Sequence, residues 1–140
     1  MQRIQKAFGN SNVTIEYTDR IEHTQALKLL NECSILLLPA NRYYPQIYAK
    51  VFDYLALQKN ILLCESDEGS LKDIIRHTQS GFVCNTSHEV EEVLTILYKE
   101  WKATGKVTSK AINIDAYSRK NQVKKLTNIS QQVINSTNLH

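Results

Sequence analysis

Short apolar runs alternate along the chain with longer amphipathic ones. Ile35-Leu36-Leu37-Leu38 has no polar interruption and is stopped by Pro39, so with Ser34 it predicts a strand covered on both faces. Asn60–Cys64 predicts the next strand and Gly81–Cys84 a short one after it. Val13–Tyr17, β-branched and alternating, predicts a strand ahead of all three. The stretches between them carry helical signals. Asp19 stands three residues before Glu22, a helix start, and Ala26, Leu27, Leu29 and Leu30 supply an apolar face up to Asn31. Gln46–Leu57 reads as helical, and so does Ser70–His77, with Asp73 placed to complete a cap at Ser70. Thr86 and Glu89 have capping-box spacing and open a helix reaching about Lys102. A break near Gly105 leads to a polar helical region from about Ala116 to Val133, and Met1–Gly9 is a further helix candidate.

Alternation of this kind predicts an α/β fold: a Rossmann-like parallel sheet of about four strands, flanked by helices joined through right-handed crossovers. The expectation is one domain over residues 1–140, partial at its front, with 111–140 as a closing polar helical segment. Ligands of such sheets bind outside the carboxyl ends of the strands, here the loops after Tyr17, Leu38, Cys64 and Cys84.

Composition narrows the function classes. At 140 residues the chain suits one compact domain, and 42% hydrophobic with 22% charged residues is ordinary for a soluble protein. The longest apolar run falls far short of the roughly 20 residues of a membrane span, and Met1–Lys6 lacks the apolar core of a secretory signal. Cys33, Cys64 and Cys84 lack metal or disulfide-framework spacing and read as small core residues at strand edges, so the expected location is cytoplasmic. His23, His77, His88 and His140 stand isolated, and no metal cluster is visible. The net charge of +3 is concentrated after Trp101, where Lys102, Lys106, Lys110, Arg119, Lys120, Lys124 and Lys125 face only Asp115. That is the pattern of a solvated helix face, compatible at most with peripheral membrane contact. Without aromatic interleaving it does not suggest nucleic acid.

The most informative loop is Pro39–Pro45, delivered by a buried strand and followed at once by a helix. Backbone N–H groups at a helix start lack internal partners, so those of about Ile47 and Tyr48 suit an anion. Ile47, Val51, Tyr54 and Leu55 share an apolar stripe, while Gln46, Lys50 and Asp53 fall on another face. Lys50 can neutralise a phosphate, and Asp53 can accept hydrogen bonds from two neighbouring hydroxyls of a sugar. Their i, i+3 spacing equally allows a surface ion pair worth about 0.3 kcal/mol, and on spacing alone that is the commoner outcome.

Lys50-Val51-Phe52-Asp53-Tyr54-Leu55-Ala56, followed by Asn60-Ile61-Leu62-Leu63, resembles the "K-hydrophobic-F-E/D-Y-L-A … P-I-L" block of retaining GT-B glycosyltransferases of the group 1 type. Further segments are similar to that family in the same order: Ala26–Pro39, Gly69–Ile75 with Ser80–Val83, and Tyr117-Ser118-Arg119-Lys120-Asn121. The resemblance runs from about Asn12 to Leu126 and implies the donor-binding part of an enzyme that moves a hexose from a UDP- or GDP-sugar to a glycan or lipid-linked acceptor. By that resemblance Asp53 holds the nucleotide ribose, with Asp where Glu is usual, and Tyr44, Ile47, Tyr48 and Lys50 complete the nucleotide-sugar site. The first acid of the family's acid–seven residues–acid motif falls on Pro45, so no catalytic residue is assigned. No metal or cofactor is implied. The family's first two strands, its basic phosphate-binding residue and its acceptor domain have no counterpart here. The domain is therefore expected to need an acceptor-binding domain or another copy of the chain and to be inactive without one. A phosphorylation receiver needs a strand-end Asp, and a dinucleotide oxidoreductase a glycine-rich turn; both are missing. A non-catalytic remnant or assembly domain is the remaining alternative.

Overall fold

The computed structural model describes residues 14–41, 43 and 46–137. The described elements are α1 (His23–Glu32), β1 (Ile35–Leu38), α2 (Lys50–Ala56), β2 (Asn60–Cys64), α3 (Ser70–Thr78), β3 (Gly81–Cys84), α4 (Ser87–Thr104), a 3-10 helix (Ile114–Tyr117) and α5 (Arg119–Thr137). The three strands form one parallel sheet in the order β1-β2-β3, with Leu36 level with Ile61 and Leu62 level with Phe82. The chain is thus α/β, with a small parallel sheet flanked by helices. The fourth strand expected at Val13–Tyr17 is not among the described elements: Val13 lies outside the described residues, and 14–17 pair with no strand. The helix candidate Met1–Gly9 also lies outside them.

Alternation along each strand sorts the sheet into two faces. Leu36, Leu38, Ile61 and Leu63 point to one side. There they meet Val51, Tyr54 and Leu55 of α2 and Leu71, Ile74 and Ile75 of α3 in a single buried cluster. Consecutive right-handed crossovers between neighbouring strands put α2 and α3 on this same side. The other face is unevenly covered. Leu62 and Cys84 are buried, but Leu37 is 57% exposed. Ile35–Leu38 is therefore covered on one face over β1, not on both as its continuous apolar run implied; β1 is the edge of the described sheet. Cys84 is buried as expected, while Cys33 is exposed, and its thiol donates to the Leu29 carbonyl.

The helix starts show how the chain satisfies its free amides. At α4 the expected box is formed: Thr86 Oγ1 accepts from Glu89 N at 3.2 Å, and Glu89 Oε2 accepts from Thr86 N at 3.1 Å. The helix ends on Gly105 in the left-handed conformation. At α1 the expected Asp19 start is displaced, with Glu22 as the flanking residue and no side-chain cap. At α3 neither Ser70 nor Asp73 caps. Asp67, buried in the loop after β2, accepts from Leu71 N at 2.9 Å and Lys72 N at 3.1 Å. Asp67→Ala is expected to lower stability by about 1–2 kcal/mol, because one buried and one part-buried amide lose their acceptor. A urea titration showing an unchanged midpoint would contradict this role for Asp67.

Asp67 belongs to a network at the carboxyl ends of β2 and β3. Asn85 Oδ1 accepts from Ser66 N, and Asn85 Nδ2 donates to Glu68, which also pairs with the Lys72 ammonium at 2.7 Å. The hydrogen bond from Lys72 is the main reason the Glu68 carboxyl titrates at about 2 instead of its ordinary 4.5, with Asn85 and Ser66 adding to it. A carboxylate lowered in this way contributes stability above its unfolded-state value and loses it as pH falls through its folded-state value. Glu68→Gln should therefore flatten the stability decline between pH 4.5 and 2. Urea midpoints across that range that fall identically in both proteins would refute it. Among the described residues, no helix is long and apolar enough to cross a membrane.

Candidate functional site

The Lys50–Ala56 segment divides its side chains between two environments. Val51, Tyr54 and Leu55 recur at helical spacing and are buried against the sheet, with the Tyr54 hydroxyl donating to the Leu37 carbonyl at 3.5 Å. The opposite face carries Ala49, Phe52, Asp53 and Ala56, again at i, i+3, i+4, i+7, and this face lines an open groove of about 870 Å³. Ile74 of α3 also borders it.

The far wall comes from the end of the chain. The connection after α4 returns past the start of β2, where Asn60 Nδ2 donates to the Thr108 carbonyl, and past the end of α3, where Ile112 N donates to the Thr78 carbonyl. That path lays the 3-10 helix against the core through Ile114 and Tyr117. The Tyr117 hydroxyl lies 3.0 Å from His77 Nδ1, with the two rings edge to face. Ser118 Oγ then accepts from Asn121 N and caps α5. Tyr117, Ser118, Arg119, Gln122 and Lys125 form the wall facing α2.

Asp53 sits on this groove with its side chain 39% exposed. Among the described residues its side-chain partner is His23: Nε2, at the start of α1, lies 3.2 Å from Asp53 Oδ2, where an imidazole N–H donates to the carboxylate. The expected Lys50–Asp53 pair is not among the ion pairs of the described residues. His23, isolated in sequence, is therefore the group that orients Asp53. The other carboxylate oxygen of Asp53 has no hydrogen-bond partner among the described residues and is available as an acceptor at the groove.

The other expected site residues separate. Ile47 lines the groove and does not join the core stripe predicted for it. Tyr48 packs against the core cluster. Lys50 is exposed and off the groove wall, and Tyr44 lies outside the described residues. The helix expected from Gln46 begins at Lys50, and Val51 N already donates to the Tyr48 carbonyl. Ile47 and Tyr48 therefore lie before the first turn, and their amides are not the start of a helix as the spacing suggested. Sequence reasoning missed His23, Arg119, Gln122 and Lys125 as groove residues. The sequence marks Arg119 through the Tyr-Ser-Arg resemblance and Lys125 as part of a basic run, but nothing in it places either on this groove.

The fold and site together define a small parallel α/β domain with an open groove lined by one oriented carboxylate and two cations. Set against protein-family models, curated proteins and solved structures, the chain matches none of them.

Proposed function

We propose that this domain binds a UDP- or GDP-sugar in the groove along α2, as the donor-binding part of a retaining GT-B-type glycosyltransferase that delivers a hexose to a glycan or lipid-linked acceptor. The observation that carries the reading is Asp53. It is set on the open face of α2, oriented by His23, with one oxygen that has no partner among the described residues and can accept from a ribose diol. Supporting it, the remaining block residues divide as a donor site needs: Val51, Tyr54 and Leu55 anchor the helix, while Phe52 and Asp53 face the groove. The volume, about 870 Å³, is within the range of roughly 300–1,000 Å³ usual for small-molecule sites. Under this reading the sheet is Rossmann-like, with a fourth strand beyond the open edge of β1, and the domain acts in the cytoplasm. Transfer itself requires groups from an acceptor-binding domain or a second copy, since no catalytic residue is assigned to this chain. Titrating the full chain with UDP, GDP and their sugars tests the proposal: saturable binding to one base supports it, and no saturable binding to any of them overturns it.

A second reading, an assembly domain without donor binding, is favoured by one observation. Val123, Leu126, Ile129 and Ile134 of α5 are all exposed, and at 100° per residue they fall on one arc of the helix. Self-association in sedimentation velocity, with no nucleotide bound, is the result that selects it.

A further inference from the structure

We infer that Arg119 and Lys125 hold the diphosphate of the bound nucleotide, so that the anion is carried by the closing helix and not by the start of α2. The inference rests on the donor-site reading above. Its grounds are the placement and charge of the groove wall.

Arg119 and Lys125 both line the groove, with Gln122 between them on the same wall. Six residues of helix separate them by about 9 Å along the axis, close enough for two long side chains to converge on one ligand. Both are exposed, and neither has an ion-pair partner among the described residues. Helix α5 contains no Asp or Glu along its whole length, so nothing on its own surface neutralises them. The carboxylate across the groove, Asp53, is hydrogen-bonded to His23 and forms no ion pair with either cation among the described residues. The wall therefore presents two cations without an ion-pair partner among the described residues, opposite an acceptor suited to hydroxyls.

That separation of charge matches the polarity of a nucleoside diphosphate, whose diol and phosphates lie at different ends of one molecule. A guanidinium forks onto two phosphate oxygens, and an ammonium adds a point charge beside it. The alternative anion site is poorly built. Helix α2 has seven residues, and the Val51 amide is already bonded to Tyr48. Lys50 does not line the groove.

The test is calorimetric titration of the full chain with uridine, UMP, UDP and inorganic pyrophosphate, and with the guanine series if GDP is the ligand bound. It compares the natural protein with Arg119→Gln, Lys125→Gln and the double variant. Both positions are exposed, so the variants should keep the melting temperature of the parent, which is checked first. Each single change should weaken UDP roughly tenfold and the pair roughly a hundredfold, while uridine affinity stays within about twofold. Pyrophosphate should compete with UDP in the natural protein and not in the double variant. If UDP binds and the double variant keeps the full preference for UDP over uridine, this assignment falls and the donor-site reading survives. If neither nucleotide nor pyrophosphate binds the natural protein, both fall.

Discussion

Gly81→Ala should destabilise the domain by about 3 kcal/mol or more, the largest loss expected from a glycine-to-alanine change among the described residues. Gly81 opens β3 and is level with Ile61 in the centre of the sheet. A Cβ there would fall on the carbonyl oxygen, carbonyl carbon and amide nitrogen of Ile61, all of them backbone atoms. A flexible side chain can swing aside, but a strand backbone cannot. Relief requires β3 to move off β2 and lengthen the 2.9 Å hydrogen bond from Ile61 N to the Ser80 carbonyl, at a residue with no exposed surface. Gly105 is the internal control. A Cβ there meets nothing, and the cost comes only from its φ of 74°, so Gly105→Ala should cost about 1 kcal/mol. Urea unfolding of the two variants separates these cases. Equal midpoints would mean that β3 does not approach β2 as described.

The second large effect is on binding. Asp53→Ala should weaken the nucleotide about a hundredfold, because two hydroxyls of the ribose lose a charged acceptor. Stability should change little, within about 0.5 kcal/mol. The side chain is partly exposed, and its partner among the described residues, His23, is largely exposed as well. Loss of binding with an unchanged melting temperature therefore separates a binding role from a structural one. Val51→Ala, by contrast, removes a fully buried side chain of the same helix and should act on both.

Much of the fold was legible because local signals and burial agree. Asn60–Cys64 and Gly81–Cys84 are bounded by residues that end strands, and both span the predicted positions. The box at Thr86 and Glu89 is a purely local device, so its sequence spacing suffices to find it. The exceptions share a cause: the deciding partner is distant in sequence or lies outside the usual template. Asp67 caps α3 from the loop ahead of it, whereas the capping template looks three residues into the helix, at Asp73. Residue 49, which precedes α2, is alanine, so no capping side chain marks where that helix begins. An unbroken apolar run such as Ile35–Leu38 does not reveal whether its strand lies at the centre or the edge of a sheet, and Leu37 is exposed for that reason.

The candidate site was half legible. Asp53 was identified through its place in a family-like block, and its helix face followed from periodicity. Its orientation by His23 was not, since the two are 30 residues apart and no local pattern links them. Nor could periodicity show that Arg119 and Lys125 face Asp53, because the connection after α4 decides that placement.

The most direct measurement asks whether Asp53 holds the ribose diol. Dissociation constants for the preferred nucleoside diphosphate and its 2′-deoxy analogue are compared in the natural protein and in Asp53→Ala. If Asp53 accepts from the diol, the natural protein prefers the ribose form by about tenfold or more, and Asp53→Ala binds both forms weakly and alike. Equal affinity for the two forms in the natural protein, or a preference that survives Asp53→Ala undiminished, would contradict a donor site built on Asp53.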